Sequence, residues 1–222
     1  MSRWAYPAEL RDLREELLAM SDLVCEALQR ALDSLEERDA ALARRVIEGD
    51  DEINERYLAI EGHCTELIAR QQPVAGDMRF VVATFKISTD LERIGDLARN
   101  LATYATRGER HAYPEVDAGT IGRHAFAMVR EAVAAYATED AEACYAVAER
   151  DAEIDRLCEA ASGIVVRDLL AERGPDESAE SLLADASRLF LTIRDLERVG
   201  DHAVNVAART LYMVEGSDDL LA

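Results

Sequence analysis

The chain has 222 residues, and its 45 Asp and Glu against 25 Lys and Arg give a formal charge of −20 at pH 7. That balance excludes binding to a phosphate backbone by bulk electrostatics, because proteins that do so carry a basic face. With 49% hydrophobic residues the chain is no disordered acidic tail, and with 11 Gly and 4 Pro it favours helix over short strands joined by turns.

The first fourteen residues are charged and hold no signal-peptide core, and no segment reaches the 18 or more apolar residues of a membrane span. A cytoplasmic protein with no membrane insertion is expected. Breaks fall at Arg38-Asp39, at Gln72 to Gly76, from Arg107 to Pro114, at Thr138-Glu139-Asp140 and at Arg173 to Asp176. Between them, helical periodicity predicts six helices over about 8–37, 39–71, 77–106, 117–138, 140–172 and 177–214. Helices of about 30 residues are ~45 Å long at 1.5 Å per residue, which suits an elongated bundle. The four cysteines, Cys25, Cys64, Cys144 and Cys158, have no metal-finger spacing and read as reduced, buried small hydrophobes.

The chain then repeats itself. In the third helix, Asp90-Leu-Glu-Arg-Ile-Gly-Asp-Leu-Ala-Arg-Asn100 recurs in the sixth as Asp195-Leu-Glu-Arg-Val-Gly-Asp-His-Ala-Val-Asn205, with eight of eleven positions identical. In the second helix, Val46, Glu48, Asp50, Glu52 and Ile53 match Val147, Glu149, Asp151, Glu153 and Ile154 of the fifth. The halves are therefore a duplicated three-helix unit, 1–106 and 117–222, joined by a linker at 107–116. The expected fold is all-α, two tandem three-helix bundles.

Within the third helix, Ile87, Leu91, Ile94, Ala98 and Leu101 form a bundle-core seam, and Thr192, Leu196, Val199, Ala203 and Val206 repeat it in the sixth. Glu92, Asp96 and Asn100 lie four apart on one stripe, as do Glu197, Asp201 and Asn205. On a helical wheel each stripe sits nearly opposite its seam, so core packing does not account for the match. Like charges at i, i+4 cost an isolated helix a few tenths of a kcal/mol. Mid-helix Gly95 and Gly200 each cost about 1 kcal/mol relative to Ala. A cation held by Glu92 and Asp96, and another by Glu197 and Asp201, would offset the repulsion, with glycine allowing close approach. Carboxylate and amide oxygens suit Mg, Mn, Fe or Zn ions.

Further candidates surround these pairs. Asn100, Asn205 and His202 could complete a metal shell, although Leu97 stands where His202 would recur. Asp50 and Asp151 fall on apolar seams and need partners, for which Arg93 and Arg198 come first and a metal second. Otherwise Arg93 and Arg198 are expected to pair with acids on adjacent helices.

These motifs resemble those of the PhoU family of phosphate-transport regulatory proteins. The Glu-x-x-x-Asp signature with its flanks, and Gln72-Pro73-Val74-Ala75-Gly76-Asp77-Met78-Arg79 leading into the third helix, carry the resemblance. It implies a non-enzymatic negative regulator of phosphate uptake. Metal ions, iron or zinc foremost, would sit at Glu92 and Asp96 and at Glu197 and Asp201. The implied partners are the ATPase of a phosphate ABC transporter and a phosphate-signalling protein, with a homodimer expected. A metal-free helical scaffold remains the alternative. A di-metal carboxylate oxidase is disfavoured because Gly95 and Gly200 stand where its Glu-x-x-His pairs need histidine. Lys86 is the single lysine, and so acidic and lysine-poor a chain suits a halophilic archaeon, whose salt screens self-repulsion.

Overall fold

The structure is a computed structural model that describes residues 6–106, 113, 115–170 and 179–221. Six helices run in chain order: α1 (Tyr6–Glu37), α2 (Ala40–Gln71), α3 (Ala75–Thr106), α4 (Ala118–Thr138), α5 (Ala141–Leu170) and α6 (Ala179–Glu215). The expected end of the fifth helix at 172 and start of the sixth at 177 lie outside the described residues. So do 107–112 and 114 of the expected linker.

The helix boundaries follow from local chemistry. Asp39 starts α2 by accepting from the backbone N–H groups of Ala41 and Leu42 at 2.8 and 3.0 Å. Those two bonds hold its carboxyl below the usual range. Asp117 does the same for α4 through Thr120 N, and Asp140 for α5 through Ala143 N. Gln72 and Glu139 end α2 and α4 in the left-handed conformation, which breaks the ladder and turns the chain.

Helices α1, α2 and α3 pack on one another, and α4, α5 and α6 do likewise. The two units meet along α3 against α6 and α1 against α4. The predicted architecture of two three-helix bundles is what forms, and both predicted seams are buried. Leu13, Leu17, Leu91, Leu101, Met128 and Leu196 belong to a single apolar cluster that runs through both units. The units are joined at polar points too: Thr84 Oγ1 and Tyr136 OH share a buried hydrogen bond of 2.9 Å between α3 and α4. Arg14 of α1 pairs with Glu139 and lies 5.2 Å above the ring centre of Phe80.

One expectation fails. The stripe of α3 does not point straight outward, whereas that of α6 does so except at Glu197. Helix α3 is packed by α1, α2 and α6, so it buries Thr84, Ser88, Gly95 and Leu97 as well as its seam. Glu92, Asp96 and Asn100 are consequently half-buried, and Glu197 is half-buried, while Asp201 and Asn205 are exposed.

Candidate functional site

The paired glycines have a packing cause. A Cβ on Gly95 would sit 3.1 Å from Ile53 Cδ1 and 3.2 Å from its Cγ2. One on Gly200 would sit 3.1 Å from Ile154 Cδ1 and 3.5 Å from Asp151 Oδ1. Ile53 and Ile154 are the matched isoleucines of α2 and α5, so each glycine lets those helices approach the central one. The close approach expected for a ligand is taken by a side chain, and it draws Asp50 and Asp151 toward the Glu-x-x-x-Asp stripes.

In the first repeat the resulting acid cluster is closed by a cation of the protein itself. Arg99 Nε lies 3.1 Å from Asp50 Oδ2, and Arg99 Nη2 donates to Asp96 Oδ1 at 3.3 Å. Arg99, and not Arg93, is thus the partner of Asp50. Arg93 is exposed and acts through its charge on Glu92. Burial raises the Asp50 carboxyl, against the pull of Arg99, with Asp96 and Asp51 adding to the rise. Burial raises Glu92 as well, with Asp96 next in effect.

In the second repeat Val204 stands at the place of Arg99. Asp151 Oδ1 is buried with no hydrogen-bond partner among the described residues. Burial raises the Asp151 carboxyl, and Asp155, Asp201 and Glu197 raise it further as like charges. Glu197 and Asp201 are raised too, by burial first; Asp155 adds to both, while His202 opposes the rise at Asp201. Arg198 is not the partner of Asp151 either; its guanidinium lies 3.8 Å from Asp195 Oδ1, on its own helix.

His202 and Asn205 face the other repeat. His202 Nδ1 lies 2.9 Å from Asp90 Oδ1, and Asn205 Nδ2 donates to the same oxygen at 3.3 Å. At the matched position Asp195 is 2% exposed, and its Oδ2 accepts from Tyr104 OH of α3 at 2.8 Å. The leading Asp of each motif therefore ties α3 to α6. Asp90, Asp195, Tyr104 and Arg99 are the residues sequence reasoning missed. Their signals were present: both aspartates recur in the repeat, and Arg99 against Val204 is one of its three mismatches.

The fit to a metal differs between the copies. Among the described residues no three His, Cys, Asp or Glu side chains are grouped so as to hold an ion. The second motif sets like-charged carboxylates, offset only at Asp201 by His202 and Arg198, around an unpartnered buried oxygen. The first motif does not fit, because a guanidinium already lies between Asp50 and Asp96.

The PhoU domain model matches residues 17–105 and again 119–210. The chain is 38% identical over 218 residues to a phosphate-specific transport system accessory protein PhoU homolog of Pseudomonas aeruginosa, covering 96% of this chain and 86% of the relative. It is 31% identical to the accessory protein PhoU of Escherichia coli, covering 96% and 86% of the two chains. Among solved structures, PhoU from P. aeruginosa superposes with a TM-score of 0.86 at 34% identity, covering 96% of this chain and all of that one. The phosphate transport system regulatory protein PhoU from Streptococcus pneumoniae gives 0.85 at 27% identity, covering 96% and 98%. These relatives are named as accessory or regulatory proteins and not as enzymes.

Proposed function

The chain belongs to the PhoU family, and from that premise we propose that it is an accessory regulator of a phosphate-specific transport system, restraining phosphate uptake by protein contact. The observation that carries this is the match along nearly the whole chain, in both repeats, to relatives bearing that description. The partners are the ATPase of a phosphate ABC transporter and a phosphate-signalling protein. The setting is the cytoplasm; no helix among the described residues is long and apolar enough to cross a membrane. Residues 1–106 and 117–222 act as the two repeats around the linker at 107–116, and two copies form a homodimer.

A metal belongs to this reading at the second motif. Asp151, Glu197 and Asp201 would hold it through rotation of their side chains, with iron or zinc foremost and Mg or Mn also suited to oxygen ligands. Its contribution when bound would be charge compensation, drawing α5 and α6 together around carboxylates that otherwise repel. Support comes from the orphaned Asp151 oxygen and the like charges around it. The metal-free scaffold is separated from this by elemental analysis.

The function is tested in a strain lacking the protein. Under phosphate-rich growth, labelled phosphate uptake is expected to exceed that of the parent strain and to return to the parental level when the intact gene is restored. Uptake equal to the parent's would contradict the proposal.

A further inference from the structure

Both repeats place three matched acids around a glycine–isoleucine contact, yet the charges around those acids differ at aligned positions. Arg99 of the first repeat is Val204 in the second, and Asn54 of the first is Asp155 in the second. The first set is thus Asp50, Glu92 and Asp96 with Arg99, and the second is Asp151, Glu197 and Asp201 with Asp155 and no guanidinium at the place of Arg99. Asp51 of the first repeat, beside Asp50, is Ala152 in the second, so Asp51 and Asp155 trade one for one and the guanidinium is what distinguishes the two sets. Arg93 and Arg198 occupy the same place in each motif and do not distinguish them.

We infer that Arg99 is the resident counter-cation of the first motif, so that this motif takes no metal ion. The contrast with the second motif rests on the metal reading given above. Arg99 spans the gap between α2 and α3, reaching Asp50 Oδ2 at 3.1 Å and Asp96 Oδ1 at 3.3 Å. A metal between those carboxylates would need oxygens that the guanidinium already engages, and would face a like charge beside them. Arginine stays charged at any working pH. It is also tethered to the helix it neutralises, so a free ion competes against a cation held at high effective concentration. In the second repeat no guanidinium among the described residues reaches Asp151: Val204 has no charge, Asp151 Oδ1 is left without a partner, and Arg198 and His202 offset the charge of Asp201. The duplicated unit has in this way been split into one half closed by its own side chain and one half left for an external ion.

The test loads purified full-length protein with Mn²⁺ or Zn²⁺ in buffered KCl, removes excess ion by gel filtration and measures retained metal by elemental analysis. Arg99→Val, which copies the second repeat into the first, is expected to retain more metal than the wild type. The gain should vanish when Glu92→Gln is added, and Arg99→Lys should stay at the wild-type amount. Val204→Arg, which copies the first repeat into the second, is expected to lose the metal the wild type holds. An Arg99→Val protein of native helicity with no added metal, or a Val204→Arg protein that keeps its metal, would overturn the inference. Wild-type protein that retains no ion while Arg99→Val retains one would instead overturn the reading of the second motif and support this one.

Discussion

Leu91→Ala and Leu196→Ala are each expected to lower stability by about 2–5 kcal/mol, the cost of a cavity at a fully buried leucine. The two residues are matched positions of the repeat, and both are 0% exposed. They also belong to one continuous apolar cluster that passes between the repeats. Either substitution should therefore bring the melting of the whole chain down in one transition. The interface explains this coupling. Helix α3 packs against α6 and α1 against α4, while Asp90 and Asp195 carry reciprocal bonds from His202, Asn205 and Tyr104 across the junction. Calorimetry checks it, and two resolved transitions, with only one of them moved by each variant, would contradict it.

Asp151→Asn is expected to make the metal-free protein more stable at neutral pH and to abolish stabilisation by Mn²⁺ or Zn²⁺. The sign follows from the direction of the shifts. Asp151, Glu197 and Asp201 are all raised above their ordinary values of 3.8, 4.5 and 3.8. Raised carboxyls favour folding fully below those ordinary values, and the gain is lost as pH rises through the elevated folded values. Metal-free wild-type protein should accordingly lose melting temperature as pH climbs from about 4 toward neutrality. The Asn variant, with a neutral group at the buried position, should lose less. A bound cation does the same work as protonation, so the loaded wild type should also lose less. Thermal melts across this range, with chelator and with metal, measure both. Equal pH slopes for wild type and variant without metal would contradict the account.

Much of the architecture was legible in the sequence for one reason: the apolar spacing of Ile87 to Leu101 and of Thr192 to Val206 is strict, and long helices leave few alternatives. Breaks at Arg38-Asp39 and at Thr138-Glu139-Asp140 were readable as interruptions of the helical period, and Asp39 and Asp140 prove to cap the helices that follow. The orientation of the α3 stripe was not. A wheel assumes one buried face, whereas α3 has neighbours on three sides, and that arrangement depends on how the two units meet. Gly95 and Gly200 misled for the same reason. Their glycine was explicable by a ligand or by a neighbour, and only the position of Ile53 and Ile154 decides for the neighbour. Arg99 lay in plain sight as a mismatch in the repeat, but pairing it with Asp50 required knowing that α2 lies alongside α3 at that height. His202, a candidate ligand by adjacency to Asp201, turns instead toward Asp90 of the other repeat.

The asymmetry between the two acidic motifs is tested most directly by the metal retained per chain in two paired variants. Glu197→Gln with Asp201→Asn should remove the metal bound by the wild type while leaving its helicity intact. Glu92→Gln with Asp96→Asn should leave the amount unchanged. Equal losses from both pairs, or retention by the Glu197→Gln and Asp201→Asn protein, would contradict the account.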